Sequence, residues 1–130
     1  MGLEAISRGC SLAYFVDNSD ESISLIKENL SLISGIGNKY VVIKSDAVKF
    51  LNNFNDFVWD YIFLDPPFKI ENKIMTEIFN ILFNSKIIDK NSVIIYEFFF
   101  KRDINSEIGD FEIFKIFGFG EKKVIYLTKK

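Results

Sequence analysis

Three short apolar segments of this chain are each followed closely by an aspartate, and helix-like segments separate them. The segments and their aspartates are Ala13–Val16 with Asp17, Tyr40–Ile43 with Asp46, and Tyr61–Leu64 with Asp65. Apolar strands that alternate with helices favour a parallel sheet covered on both faces. The carboxyl ends of parallel strands lie along one edge, which is where ligands bind in open sheets. We therefore expect the three aspartates to line one ligand-binding edge of an α/β fold.

The segments between and after these strands show helical spacing or a hairpin pattern. The apolar positions are Ile23, Ile26, Leu30 and Ile33 in the helix from Asp20, Val48, Leu51 and Phe54 in a short second helix, and Ile74, Ile78 and Leu82, with Met75 and Phe79 beside them, in a third. A further strand covers Ser92–Tyr96, and a polar loop follows from Lys101 to Asp110. The last two strands flank Gly118–Glu121, so we expect an antiparallel hairpin at one edge of a mostly parallel sheet.

The tetrapeptide Asp65-Pro66-Pro67-Phe68 comes directly after the third apolar segment. The prolines restrict the backbone, so Asp65 and Pro66 are expected to be held rigidly. A carboxylate oxygen of Asp65 and the Pro66 carbonyl could each accept one N–H of an amino group on a flat ring, turning its lone pair toward an electrophile. Phe68 could stack on that ring. The pattern favours methylation of an exocyclic amine; the alternative is a proline turn with Phe68 in the core.

The other two aspartates also have two interpretations each. Asp17 closes a strand at the place where nucleotide-binding folds hold ribose hydroxyls, and we favour that role over a turn or cap. Asp46 stands where it would cap the following helix, and a cap is compatible with a ligand contact.

The residue types that are absent narrow the chemistry. The chain has no histidine and one cysteine, which excludes histidine bases, histidine-ligated metals, intrachain disulfides and cysteine-clustered zinc. We expect no metal. No apolar stretch approaches the ~20 residues of a membrane span, and the N-terminus lacks the pattern of a secretory signal, so we expect a cytoplasmic protein. The net charge of −2 gives no overall attraction to nucleic acid.

Four stretches together resemble the class I S-adenosylmethionine-dependent methyltransferases, and more narrowly the RNA methyltransferase D family. They are Gly2-Leu3-Glu4-Ala5-Ile6-Ser7-Arg8-Gly9, Phe15-Val16-Asp17-Asn18, Ser45-Asp46-Ala47 and Asp65-Pro66-Pro67-Phe68. That family methylates the exocyclic N2 of a guanine in bacterial 16S ribosomal RNA. The resemblance therefore implies a Rossmann-like fold, S-adenosylmethionine as cofactor, and ribosomal RNA of the small subunit or its assembly intermediate as partner.

The resemblance also implies roles for individual residues. Asp17 would hold the ribose hydroxyls of the cofactor with Asn18 beside the adenine, Asp46 would accept from the adenine amino group, and Ala47 would offer backbone contacts. Gly2 would be a remnant of the glycine-rich loop that approaches the methionine end of the cofactor. The catalytic segment from Asp65 through Pro66 and Pro67 to Phe68 would receive a guanine flipped out of its helix.

Family members have a strand and a glycine-rich loop immediately before the position of Gly2, and this sequence starts at Met1. By the resemblance we expect residues 1–130 to form a single methyltransferase domain that lacks its first, central strand. We accordingly expect this chain on its own to be poorly soluble or self-associated, and to bind S-adenosylmethionine weakly or not at all.

Three other functions share parts of this pattern. A dinucleotide dehydrogenase predicts G-x-G-x-x-G before the strand that ends at Asp17, and the sequence has no such run. A methyltransferase of adenine N6 in DNA, or of a protein glutamine, would keep the Asp65 motif unchanged. A non-catalytic remnant that binds or assembles would keep the fold alone.

Overall fold

A computed structural model describes residues 12–33 and 40–129, and the fold is α/β as predicted. The elements in chain order are β1 (Ala13–Asp17), α1 (Asp20–Ser31), β2 (Tyr40–Lys44), α2 (Ala47–Asn53), β3 (Tyr61–Leu64), α3 (Asn72–Asn84), β4 (Val93–Phe99), α4 (Asn105–Ile108), β5 (Glu112–Phe119) and β6 (Lys122–Thr128). The chain divides into two compact units, residues 1–50 and 51–130. No helix in the described ranges has the length and apolarity needed to cross a membrane.

The first unit contains a parallel pair of strands and one long helix. β1 pairs with β2 in a register that joins Ala13 to Tyr40 at one end and Asp17 to Lys44 at the other. Helix α1 begins after Ser19, whose hydroxyl oxygen accepts a hydrogen bond from the backbone N–H of Ser22 at 3.3 Å, as an N-cap residue does. Of the predicted apolar face of α1, Leu30 is buried. Parallel pairing places the carboxyl ends of both strands at the same edge.

The second unit contains a four-stranded sheet in the order β3-β4-β6-β5. β3 and β4 are parallel, with Leu64 opposite Tyr96, while β6 runs antiparallel to both β4 and β5. The predicted hairpin between β5 and β6 is confirmed and is tighter than expected, because only Gly120 and Glu121 lie between the strands. Gly120 has φ of 57°, a conformation that glycine adopts without strain.

The core of this unit lies between α3 and one face of the sheet. Its most deeply buried members from the helix are Met75, Ile78, Phe79 and Leu82, and those from the sheet include Ile94, Tyr96, Ile125 and Leu127. The rings of Phe79 and Tyr96 are 5.2 Å apart. Ile74, predicted to belong to the apolar face of this helix, is 37% exposed, so the face is centred on Met75 and Phe79 instead.

The segment after β4 differs from the sequence prediction in two ways. β4 extends through Glu97 to Phe99, because these residues continue the antiparallel ladder with β6. The expected polar loop from Lys101 to Asp110 contains the short helix α4, whose Glu107 and Ile108 are buried. The segment between β4 and β5 therefore packs against the rest of the second unit.

Candidate active site

Asp17, at the carboxyl end of β1, accepts hydrogen bonds from the segment that follows β1 and from the segment that follows β2. Its backbone carbonyl accepts from the N–H of Ser45 at 2.9 Å, and its Oδ1 accepts from the N–H of Ser19 at 2.9 Å. The side chain is half-buried, and the next residue, Asn18, is exposed. Within the described residues the second carboxylate oxygen of Asp17 has no donor. A half-buried carboxylate with one oxygen available at a strand end suits a ligand hydroxyl.

Asp46 caps helix α2 and is exposed. Its Oδ1 accepts from the N–H of Val48 at 3.1 Å, and its backbone carbonyl accepts from the N–H of Phe50 at 2.9 Å. The predicted cap is thus present. Ala47 is the first residue of the helix and is also exposed. Because β1 and β2 are parallel, Asp46 and Asp17 lie at the same edge of this pair, as expected from the sequence.

The segment Asp65-Pro66-Pro67-Phe68 leaves β3 in a turn that displays its aromatic ring. The Pro67 carbonyl accepts from the N–H of Ile70 at 3.0 Å, which closes the turn. Phe68 is 64% exposed, so the alternative in which it packs in the core is wrong. One edge of its ring meets the ring of Phe99, with centroids 4.9 Å apart and planes at 76°. The rest of the ring is open for stacking.

The electrostatics around Asp65 involve a second carboxylate. Partial desolvation at the strand end raises the pKa of the Asp65 carboxyl, and the negative charge of Glu97 raises this pKa further, while Lys122 acts in the opposite sense. Glu97 itself forms an ion pair with Lys122 at 3.3 Å. A carboxylate whose pKa is raised is a stronger hydrogen-bond acceptor and takes up a proton more readily than an ordinary aspartate.

A buried polar cluster holds the segment that follows β4. The Glu107 side chain is fully buried, and its Oε1 accepts from the Tyr96 hydroxyl at 2.9 Å. Its Oε2 accepts from Asn72 Nδ2 at 2.7 Å and from Arg102 Nε and Nη2 at 2.9 and 2.7 Å. The cluster joins β4, α3 and α4, and so it anchors the short stretch that carries Phe99 beside the exposed ring of Phe68.

The structure brings the predicted residues together within each unit. Asp17, Asn18, Asp46 and Ala47 share one edge of the first unit, and Asp65, Pro66, Pro67 and Phe68 form one turn of the second. Gly2, predicted to contact the cofactor, lies outside the described residues. Glu97, Phe99 and Lys122 were not predicted as site residues. Within the described residues no group of acidic or cysteine side chains could hold a metal ion.

Of the three residues that the sequence analysis missed, Glu97 could have been identified from its position in the sequence. Glu97 follows an apolar run, as Asp17 and Asp65 do, and is the first acidic residue after the fourth strand segment. A parallel pairing of that strand with its predecessor puts the two acids side by side. The contribution of Lys122 depends on the antiparallel register of β6, which the sequence does not reveal.

Comparison with known protein families and curated proteins gives consistent similarities. The family model described as conserved hypothetical protein 95 matches residues 1–128. The ribosomal RNA large subunit methyltransferase I of Enterobacter sp. (strain 638) is 33% identical over 73 residues, which are 55% of this chain and 18% of that protein. The ribosomal RNA small subunit methyltransferase D of Buchnera aphidicola subsp. Acyrthosiphon pisum (strain APS) is 27% identical over 97 residues. Those residues are 75% of this chain and 49% of that protein, so the match spans less than half of either relative.

Solved structures share the fold. A conserved hypothetical protein of Streptococcus pyogenes superimposes with a TM-score of 0.84 at 23% identity, over 98% of this chain and 78% of its own. A proposed methylase of Haemophilus influenzae superimposes with a TM-score of 0.79 at 21% identity, over 99% of this chain and 80% of its own. A proposed methyltransferase of Escherichia coli superimposes with a TM-score of 0.78 at 22% identity, over 98% of this chain and 69% of its own. These similarities confirm the class of fold predicted from the sequence.

Proposed function

The chain belongs to the family described as conserved hypothetical protein 95, a family of RNA methyltransferase D type, and on that premise we propose that it methylates the exocyclic N2 of a guanine in 16S ribosomal RNA. The methyl donor in this proposal is S-adenosylmethionine, and the substrate is the small-subunit RNA or its assembly intermediate in the cytoplasm. The observation that carries the proposal is the turn after β3, where Asp65 stands beside a displayed aromatic ring at the end of a strand.

The turn supplies what an aromatic amine needs in order to attack. The lone pair of such an amine is delocalised into its ring, so the nitrogen is a poor nucleophile until its N–H bonds are held out of that plane. In our proposal the Asp65 carboxylate accepts one N2–H and the Pro66 carbonyl accepts the other. Phe68, 64% exposed, stacks on the guanine. The raised pKa of Asp65 suits it to take the proton that N2 loses when it becomes bonded to the methyl group.

The carboxylates of the first unit are suited to bind the hydroxyl and amino groups of the cofactor. We propose that the available oxygen of Asp17 accepts from the ribose hydroxyls, with Asn18 beside the adenine, and that Asp46 accepts from the adenine amino group next to the backbone of Ala47. Carboxylates at strand ends are the groups that bind ribose in nucleotide folds. When bound, S-adenosylmethionine would supply a methyl group on a sulfonium, and transfer of this methyl group to N2 would break the C–S bond and leave a neutral thioether without help from a metal.

The test is methyl transfer by the protein expressed from its gene with any in-frame sequence upstream of Met1. Purified protein is incubated with labelled S-adenosylmethionine and 16S ribosomal RNA from cells that lack this activity, and the modified nucleoside is identified by mass spectrometry. We expect N2-methylguanosine at one position. Asp65→Ala should reduce the rate by roughly 10²–10³, the usual effect of losing one preorganised hydrogen-bonding group.

Two controls make this result specific. Asp56→Ala removes an exposed aspartate elsewhere in the same unit and should leave the rate unchanged. Calorimetric titration with S-adenosylmethionine should show equal affinity for Asp65→Ala and the unmodified protein. Near-normal turnover in Asp65→Ala would contradict the mechanism. Label recovered in N6-methyladenosine or in protein would replace the proposed substrate by one of the other amino-methyltransferase substrates.

A further inference from the structure

Glu97 stands beside Asp65 just past the point where the parallel pairing of β3 and β4 ends. The register pairs Leu64 with Tyr96, so Asp65 and Glu97 are the next residues along β3 and β4. Neighbouring strands are separated by about 4.8 Å, which brings two carboxylates within reach of one small flat ligand. The effect of Glu97 on the pKa of Asp65 is consistent with this proximity.

The Glu97 side chain is largely buried and pairs with a lysine of the neighbouring strand. Its side chain is only 14% exposed, and Oε1 lies 3.3 Å from Lys122 Nζ. Lys122 is opposite Phe99 on the neighbouring strand, and residues two apart in a strand share a face. Glu97, Phe99 and Lys122 therefore lie on one face of the sheet, and Phe99 contacts the exposed Phe68 ring. The ion pair alone gives little stability, since the lysine is half exposed.

A second carboxylate matters for the choice of base. Guanine presents two donors next to each other on its Watson–Crick edge, N1–H and the N2 amino group. Adenine presents an amino group at N6 next to a bare N1, which is an acceptor and would meet a carboxylate with repulsion. A polar group left unpaired in a site built for hydrogen bonding discriminates strongly between substrates.

We propose that Glu97 accepts the N1–H of the target guanine while Asp65 holds the N2 amino group, so that Glu97 is the residue that selects guanine. This inference rests on the proposed function, and it adds a residue and a specificity that the family membership alone does not provide. Lys122 has the role of a positioning residue, because its ammonium lies 3.3 Å from Glu97 Oε1 and orients the carboxylate.

The experiment compares guanine with 2-aminopurine at the methylated position of 16S ribosomal RNA assembled by ligation. 2-Aminopurine keeps the N2 amino group and has a bare N1. We expect the unmodified protein to methylate guanine ~10- to 100-fold faster than 2-aminopurine, the range for one charged hydrogen bond. Glu97→Gln offers an amide N–H to the bare N1, so it should slow guanine by a similar factor, speed 2-aminopurine, and bring the ratio of the two rates to one or below.

Two further variants exclude a general effect on charge or folding. Glu121→Gln makes the same charge change at an exposed position of the hairpin and should keep the original preference. Glu97→Asp keeps the carboxylate and should still prefer guanine at a lower rate. Urea unfolding of each variant, followed by the fluorescence of Trp59, verifies that it is folded.

The outcomes separate this inference from the proposed function. If the unmodified protein methylates guanine and 2-aminopurine equally, or if Glu97→Gln slows both bases by the same factor, Glu97 does not read N1 and the inference is overturned while the function stands. If the unmodified protein methylates neither base in 16S ribosomal RNA, the proposed function fails and the inference fails with it.

Discussion

Replacing Arg102 by methionine should destabilise the second unit strongly, because it leaves a buried carboxylate without its countercharge. The Glu107 side chain has no exposed surface, and the Arg102 side chain is 12% exposed. Among the described residues, the Glu107 carboxylate of Arg102→Met keeps two neutral donors, the Tyr96 hydroxyl and the Asn72 amide. Breaking a buried ion pair from one side costs about 3–5 kcal/mol of unfolding free energy.

The geometry of the cluster also ranks the other substitutions. Tyr96→Phe removes the only described donor to Glu107 Oε1, and losing a hydrogen bond to a charged group costs roughly 1.5–3 kcal/mol. Asn72→Ala leaves Oε2 with both nitrogens of Arg102 and should cost about 0.5–1.5 kcal/mol. The expected order of destabilisation is therefore Arg102→Met, then Tyr96→Phe, then Asn72→Ala.

The assay is urea unfolding at pH 7 followed by fluorescence, since Trp59 is the single tryptophan and belongs to the same unit. The double variant Arg102→Met with Glu107→Gln should be more stable than Arg102→Met alone, because it removes the unpaired charge. Lys101→Met is the matched control, since Lys101 is exposed and its ammonium lies 5.7 Å from the centre of the Phe100 ring, a contact worth less than about 1 kcal/mol. An Arg102→Met protein within 1 kcal/mol of the unmodified one, or a double variant less stable than Arg102→Met, would refute this account.

Three other predictions follow from individual groups. Asp17→Ala should weaken S-adenosylmethionine binding by roughly 1.5–3 kcal/mol in calorimetry, and unchanged affinity would assign Asp17 a structural role. Burial, and then the hydrogen bond to Glu107, raise the pKa of Tyr96, so it should be the last of the five tyrosines to form phenolate in an ultraviolet titration. The stability that Tyr96 contributes through this raised pKa is complete below pH 10.0, the ordinary pKa of a tyrosine, and is lost as the pH rises above it. Tyr96→Phe should abolish this loss of stability at high pH. Because the pKa of Asp65 is raised, the stability that its carboxyl contributes is present below pH 3.8 and is lost as the pH rises. The stability of Asp65→Asn should therefore increase relative to that of the unmodified protein as the pH rises, as measured by the midpoints of unfolding.

The order of strands and helices could be predicted because each strand is short, apolar and ended by a polar residue. β3 has the predicted bounds, and β1 and β2 each extend one residue beyond theirs. Helix α1 begins at Asp20 as predicted, since Ser19 caps it and acidic residues follow. These features depend on neighbouring residues only, which is why a single sequence is enough to predict them.

Features that depend on distant residues could not be predicted. The polar sequence after Lys101 is read as a loop, yet Glu107 is buried because donors from β4, α3 and the loop converge on it. The continuation of β4 past Tyr96 depends on its pairing with β6, nearly thirty residues later. At the candidate site, the Asp65 motif was identified from adjacent residues, whereas Glu97 became a neighbour of Asp65 only through the sheet register.

The position of β4 inside the sheet gives the two carboxylates supports of unequal strength. Within the described residues β4 is hydrogen-bonded on both sides, by β3 and β6, whereas β3 is bonded to β4 alone. Edge segments with exposed side chains open locally at lower free energy than interior strands do, and Tyr61 and Phe63 on β3 are 60% and 38% exposed. Among the described residues, local opening should therefore cost less free energy at β3 than at β4, and we expect faster backbone hydrogen exchange around Asp65 than at Glu97. A base held between Asp65 and Glu97 would therefore contact one carboxylate on a strand paired on one side and one carboxylate on a strand paired on both sides.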